Sequence, residues 1–341
     1  MRSLQLFLSD HLLAAPDDLR DAIALAPGLH RLLRRAGTPD ILDLDIDAAV
    51  LDAFGVVRQR DWPVAPITCL ADGGDPGQRF WLRADPVHLR AERDALVLAD
   101  ARLFDVTPQA AQAFVASLNN HFNADGLQFF ALTPNRWYVT AEPAPDLQTQ
   151  SLNAAAGRNV DQFLPTGRDG LTWHRTFNEI QMLFHEHAVN QAREGSAELP
   201  INSVWLWGGG VLPAIGSSFA GVWATNPIAR GSAIASSTPL EAVPNHASAW
   251  LQSAKPGDHL LMLDDAADAG ATRAAELQRL DALWLTPLLD AVSRGQLDRL
   301  ALHIADEAQT LRFTLNAGDR WKFWHAWRPA WTADNLSRRD S

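Results

Sequence analysis

The spacing of apolar and polar positions gives the chain two rhythms. Over residues 1–60 apolar side chains recur at helical intervals, broken at Ala26-Pro27-Gly28 and Gly37-Thr38-Pro39, which predicts a run of short helices. One is expected near Leu19, behind the loop Ala15-Pro16-Asp17-Asp18, and no Gly-rich phosphate loop or strand leading to a catalytic Asp is expected here. The density of Pro and Gly over 61–79 predicts a boundary or long connection. Phe80 to Pro86 reads as a short strand leaving into a turn, since Pro86 biases Asp85 away from helix. Thr107-Pro108 is a strong helix start, followed by Ala110, Phe114, Leu118 and Phe122 on one stripe and a stop at Asp125-Gly126. Residues 127–132 and 136–139 flank Thr133-Pro134-Asn135 as a hairpin.

The second half alternates strand-like and helix-like segments. Thr176-Phe177-Asn178-Glu179 matches a capping box, with Ile180, Leu183, Phe184 and His187 on the face of the helix behind it. Ser203–Trp207 is a short apolar strand stopped by Gly208-Gly209-Gly210; His259–Leu263 and Leu300–Ile304 are two more, separated by a helix over 274–293. This alternation predicts an α/β fold with a mostly parallel sheet, and places ligands beyond the C-terminal strand ends, after Trp207, Leu263 and Ile304.

Composition narrows the function classes. A chain of 341 residues is long enough for two domains, and 47% apolar with 20% charged residues is ordinary globular usage. No apolar run is long enough for a membrane span, and Ser9, Asp10 and His11 interrupt the N-terminal apolar stretch, so neither a membrane partner nor a signal peptide is expected. The single Cys69 fits a reducing, cytoplasmic setting. A net charge of −11 argues against nucleic acid as a partner while leaving room for a small anionic metabolite. Of the 13 Trp, those at 321, 324, 327 and 331 form a stripe at helical spacing, which docks the C-terminal tail or offers a surface to a protein partner.

No arrangement of residues announces a reaction. His185-Glu186-His187 lacks the i, i+4 spacing of a zinc helix, although His187 and Asn190 share a face. Gly208, Gly209 and Gly210 could let backbone approach a ligand, but no Lys-Ser/Thr follows. Asp306-Glu307 follows a strand where an acid–base or metal-binding carboxylate would sit, with no strong ligand in the next four residues. Arg83, Arg136 and Arg193 offer planar forks for phosphate or carboxylate.

Several of these segments together resemble a known family. His185-Glu-His187-Ala-Val189-Asn190-Gln-Ala-Arg193, followed by Pro200-Ile-Asn202-Ser-Val-Trp205-Leu-Trp207-Gly208-Gly209-Gly210, is similar to a stretch of the archaeal-type cofactor-independent phosphoglycerate mutases. Trp81-Leu-Arg83-Ala-Asp85-Pro-Val87 resembles the start of their inserted substrate domain, and Leu302 to Ala308 resembles their Asp-Glu-Ala-Gly-His segment. The likeness covers roughly 78–325 and extends to a bacterial group of regulatory proteins of the RpfE type. It implies an alkaline-phosphatase-like core with a small inserted α+β domain. The expected layout is 1–78 as an N-terminal helical part of the core, 79–146 as the insert, and 147–334 as the α/β core with the Trp-rich segment. Active members use two metal ions and a serine nucleophile. Here Thr310 stands where the resemblance would have a histidine ligand, and no Asp-Gly segment, matching serine or later Asp-His pair is found. The expectation is therefore a protein without catalytic residues, metal or cofactor. It would hold a phosphorylated or carboxylated metabolite through Arg83, Asp85, Arg136, His187, Asn190, Arg193, Asn202, Gly208–Gly210 and Asp306. The competing expectation is a mutase or phosphohydrolase using Mn²⁺ or Mg²⁺ with rearranged ligands.

Overall fold

The computed structural model describes residues 1–8, 25–92, 95–216, 219–264, 272–306 and 309–318. The helix expected near Leu19 and the tryptophans from Trp321 onward lie outside the described residues. In chain order the strands are β1 (Arg2–Leu8), β2 (Asp40–Leu42), β3 (Trp81–Glu92), β4 (Ala95–Asp100), β5 (Leu127–Thr133) and β6 (Arg136–Ala141). They continue with β7 (Ser203–Gly210), β8 (Phe219–Trp223), β9 (Leu240–Glu241), β10 (Gly257–Leu263), β11 (Arg299–Asp306) and β12 (Gln309–Asn316). The chain divides into two units, Met1–Gly55 with Ile215–Ser341, and Val56–Ala214.

The first unit is the expected α/β structure. Its sheet runs β2-β12-β11-β1-β10-β8-β9. Strands β11, β1, β10, β8 and β9 are parallel, while β12 is antiparallel to both β11 and β2. A parallel sheet buried on both faces wants continuous apolar strands. β10 supplies them with Leu260, Leu261, Met262 and Leu263, all buried. Leu4, Leu6 and Leu8 of β1 pack into one apolar cluster with Leu29, Leu32 and Leu33 of the helix Pro27–Ala36 and with Leu285, Leu288 and Leu289. Phe7 takes the other face.

The all-helical expectation for 1–60 is corrected here: Arg2–Leu8 is a strand, and it sits between β10 and β11. The reason is that a short apolar run buried on both sides has no alternation to distinguish it from a helix segment. Leu8 leads in sequence to Ser9-Asp10. The helix over 274–293 is interrupted: Arg273–Leu280 and Thr286–Ser293 are joined by a π-helical turn, Asp281–Leu285.

The second unit is built on an antiparallel sheet. β3 pairs β6 at one end and β4 at the other along one edge, and β7 along the opposite edge, with β5 outside β6. β3 continues through Pro86 to Glu92 instead of turning off. Residues 84–86 have no partner on the edge shared by β6 and β4, which is where a residue without an N–H is tolerated. β7 runs through the three glycines and pairs Val87↔Ser203 to Trp81↔Gly210. The segment after Trp207 is thus no parallel strand end. That pairing also draws 147–214 into this unit, which is wider than the 79–146 segment read from sequence.

Thr107 caps Pro108–Phe122 as expected, its hydroxyl accepting from the Ala110 N–H at 3.2 Å, and the helix buries Phe114, Leu118 and Phe122. The β5–β6 hairpin also lies where the turn residues place it. The capping box at Thr176 does not form. The helix spans Gly170–His185, and the Thr176 hydroxyl donates to the Thr172 carbonyl one turn back.

Candidate functional site

Parallel sheets gather ligands at the carboxyl ends of their strands. In the first unit those ends are aligned: Leu8 of β1 pairs with Leu263 of β10 on one side and with Ile304 of β11 on the other. Each strand is followed in sequence by acidic residues, Asp10 after β1, Asp264-Asp265 after β10, and Asp306 at the end of β11. Beyond β8 and β10 lies a cleft of about 440 Å³, its walls formed by Met262, Leu263, Leu280 and Trp284, its polar groups by Thr225, Asn245, Asp264, Glu276 and Arg279. The Thr225 hydroxyl donates to the Asp264 carboxylate at 2.5 Å. The π-helical turn brings Leu283 and Trp284 to this cleft, a common use of such bulges. Of the positions named from sequence, only the segment after Leu263 reaches the cleft. Its other polar residues carry no local motif that could have marked them.

His303 of β11 is not a ligand-bearing group. It is buried, stacked on Phe7 at 4.0 Å, and both ring nitrogens lack partners. Burial, with Arg312 and Arg299 adding to it, pushes its pKa down to about 3, so the ring is neutral. Among the described residues no three His, Cys, Asp or Glu side chains come together as a resident divalent metal would need. The described side chains do not by themselves make up a metal site.

The candidates in the second unit fall into two separate networks. In the first, Arg83 is 5% exposed and spends its Nε and Nη2 on Asp85 Oδ1 at 3.1 and 2.6 Å. Its guanidinium lies 5.3 Å from the ring centres of both Tyr138 and Trp207. The Trp207 indole donates to the other Asp85 oxygen at 2.7 Å. Burial pushes the Asp85 carboxyl above its ordinary value, against the pull of Arg83 and Trp207. Alongside, Arg136 grips Asp72 through two nitrogens at 2.8 and 2.5 Å, and the Tyr138 hydroxyl donates to Asp72 at 2.6 Å. Burial alone would raise Asp72, but the bonds from Arg136 and Tyr138 outweigh it and hold the carboxyl below its usual range. Asp72 and Tyr138 were not expected from sequence; nothing local marks them.

The second network fastens the chain after Phe184. His187 caps the helix Ala188–Gly195, its Nδ1 accepting from the Val189 N–H at 3.2 Å. The proton therefore sits on Nε2, which meets the Ser117 hydroxyl at 3.0 Å as a donor and cannot serve it as a base. Asn190 gives its amide to both backbone groups of Ile201, and Asn202 does the same for Leu89. Arg193 donates to the carbonyls of Leu199 and Asp105, both at 2.8 Å. Asn190, Arg193 and Asn202 thus form a network apart from that of Arg83 and Arg136. Their polar groups are consumed by backbone that no strand or helix would otherwise satisfy.

The glycines are likewise occupied. Gly208 has φ +67° and donates to the Thr149 hydroxyl at 3.0 Å. A Cβ there would fall 2.8 Å from Val64, and Cβ atoms on Gly209 and Gly210 would meet Phe80, Leu82 and Pro63 at 2.8–2.9 Å. They admit neighbouring chain, not a ligand. Asp306 lies in the other unit, opposite Gln309 in the β11–β12 ladder.

No family model matches the chain. It is 23% identical over 110 residues to the 2,3-bisphosphoglycerate-independent phosphoglycerate mutase of Methanosarcina mazei, a stretch covering 32% of this chain and 28% of that protein. A probable mutase of the same kind from Geobacter sulfurreducens is 23% identical over 182 residues, 50% of this chain and 44% of that one. The chain thus matches less than half the length of these curated relatives. Among solved structures, the PH0037 protein from Pyrococcus horikoshii aligns over 92% of this chain and 87% of its own at a TM-score of 0.53 and 13% identity. The architecture and these relatives support a phosphoglycerate-mutase-like α/β fold.

Proposed function

We propose that this chain is a non-catalytic, phosphoglycerate-mutase-like regulatory protein of the RpfE type. In this reading it works in the cytoplasm and holds a small phosphorylated or carboxylated metabolite in the cleft beyond β8 and β10. One observation carries the reading. The arginines that would meet a phosphorylated substrate in the second unit are already bound internally, Arg83 by Asp85, Arg136 by Asp72 and Arg193 by carbonyls. A buried Arg–carboxylate pair gives up its partner at a cost of several kcal/mol, on the order of 3–5, so it is a poor start for substrate capture. In the cleft, Arg279 and the amide of Asn245 are the groups for an anion. Cys69 supports the absence of thiol chemistry, since burial pushes it up to about 11. The Trp-rich C-terminal segment remains the proposed surface for a protein partner, tested by truncation after Asp319.

A second reading keeps catalysis, as a mutase or phosphohydrolase using Mn²⁺ or Mg²⁺. The observation that favours it is the sequence of acids beyond three adjacent parallel strand ends, at Asp10, Asp264 and Asp306. One experiment separates the two. The purified chain is assayed for phosphoglycerate mutase activity with Mn²⁺ supplied, and its melting is followed with 3-phosphoglycerate and phosphoenolpyruvate. The first reading expects no rate above the no-enzyme control and a rise in Tm that Arg279→Gln removes. A rate abolished by Asp306→Ala overturns it.

A further inference from the structure

We propose that the outer face of the helix Gly170–His185 is where two copies of this chain meet, their helices antiparallel about a two-fold axis. The inner face of this helix carries Trp173, Phe177, Ile180 and Phe184, all buried in the core of the second unit. At about 100° per residue, Leu171, Arg175, Asn178 and Met182 centre on the side directly opposite. All four are exposed. Leu171 and Met182 are 76% and 74% exposed, and the next such apolar side chain on a described helix, Ile234, is 44% exposed. Leu171 and Met182 stand about three turns apart, so they lie in one line along the helix.

Isolated exposed apolar residues are ordinary and would not name a partner. The charges along the same line do. Arg168 just before the helix and Arg175 in its first half are basic; Glu179 in its second half and Glu186 at its end are acidic. All four are exposed. Arg175 and Glu186 make no ion pair among the described residues, and Arg168 reaches only Asp169, at 3.9 Å. Glu179 meets His121 through Oε2 at 3.2 Å and keeps its other oxygen.

This order of charges complements itself in one direction only. A parallel pair would set Arg175 against Arg175 and Glu179 against Glu179. An antiparallel pair, with its axis level with Phe177, brings Arg175 of each copy to Glu179 of the other and Arg168 to Glu186. The same register lays each Leu171 beside the other copy's Met182. In a two-fold interface every such contact is made twice. Exposed ion pairs add little affinity, but like charges exclude the parallel alternative, so the charges fix direction while the apolar pair supplies contact. The helix has 16 residues and is about 24 Å long. One helix from each copy is at the small end of specific interfaces, so the dimer is reversible and weakens with salt.

The test is sedimentation velocity of the full chain over a concentration series. A monomer–dimer equilibrium is expected. The variant Leu171→Asp/Met182→Asp should weaken it about tenfold or more, a difference near 1.4 kcal/mol, while its Tm stays put. Arg175→Glu and Glu179→Arg, each alone, place like charges together and should be monomeric; an equal mixture of the two should dimerise again. Under oxidation, Leu171→Cys mixed with Met182→Cys should cross-link. Either alone should not, because equivalent positions lie about 17 Å apart along an antiparallel pair. Cys69 is buried and does not compete. A chain that stays monomeric at every concentration overturns the proposal, as does a dimer that the Asp variant leaves intact. So does equal association of the charge variants alone and mixed, or cross-linking of each cysteine variant with itself and not in the mixture.

Discussion

Asp281 closes the end of a helix to which it does not belong: its carboxylate accepts from the backbone N–H of Gly28 at 2.9 Å and of Leu29 at 2.7 Å. The helix Pro27–Ala36 has no cap of its own, because Ala26 offers no side-chain acceptor. Gly28 is required for the approach, since a Cβ there would lie 2.2 Å from Thr286 Oγ1 and 2.6 Å from Asp281 Oδ1. Asp281→Ala is expected to cost about 1–3 kcal/mol by stripping two buried donors of their acceptor. Gly28→Ala should cost at least as much by displacing the carboxylate. Urea denaturation reads both; an unchanged midpoint would refute the cap.

The Arg83–Asp85 pair yields a different pattern. Removing one partner strands the other in the core, so Arg83→Met and Asp85→Leu are each expected to lose about 3–5 kcal/mol. The double replacement Arg83→Met/Asp85→Leu should recover most of that loss, since neither charge is then stranded. Equilibrium unfolding of the three variants forms the cycle, and simple additivity would contradict a tight pair.

His303 predicts acid sensitivity. Its folded pKa of about 3 lies below the unfolded value of about 6.5, so the unfolded chain binds the extra proton between the two. Stability from this group is complete above about pH 6.5 and falls by about 1.4 kcal/mol per pH unit as pH drops toward 3. His303→Phe, which keeps the stack on Phe7 and removes two unpaired nitrogens, should flatten that slope. Melting curves at stepped pH decide it; parallel slopes for both proteins would refute the assignment.

Four amide side chains stand in for missing strands. Asn119 satisfies both backbone groups of Phe129, Asn190 those of Ile201, Asn202 those of Leu89, and Gln59 those of Val211. A carboxylate cannot return the donated bond and would face a carbonyl. Asn202→Asp is therefore expected to lose about 1–3 kcal/mol, and the Leu89 amide should exchange faster with deuterium. Protection equal to the parent protein would show that the amide is dispensable.

These amides also mark how far the sequence could be read. Thr107-Pro108 and the turn before Arg136 act through their own neighbours, so the helix and hairpin they govern were legible. Thr176 and Glu179 carry a capping pattern, but the helix starts a turn and a half earlier and overrides it. β1 was missed because burial on both faces erases the alternation that marks a strand. Asn190 and Asn202 were singled out as ligand contacts, yet their partners here lie 11 and 113 residues away in the chain, and nothing local distinguishes a backbone clamp from a ligand clamp. Thr225 and Trp284 reach the cleft only through the fold, for the same reason.

The place of β1 has a consequence for how the protein is made. Its apolar residues Leu4, Leu6, Phe7 and Leu8 leave the ribosome long before their neighbours in the sheet, β10 and β11, which end at Leu263 and Asp306. At about 5–20 residues per second, the strand at the centre of the first sheet waits some 15–60 s for its partners. Val56–Ala214 is one continuous stretch and emerges whole in that interval. Nascent chains are therefore most exposed to aggregation after the second unit is complete and before β11 is translated, and it is in that window that a chaperone would find β1 uncovered.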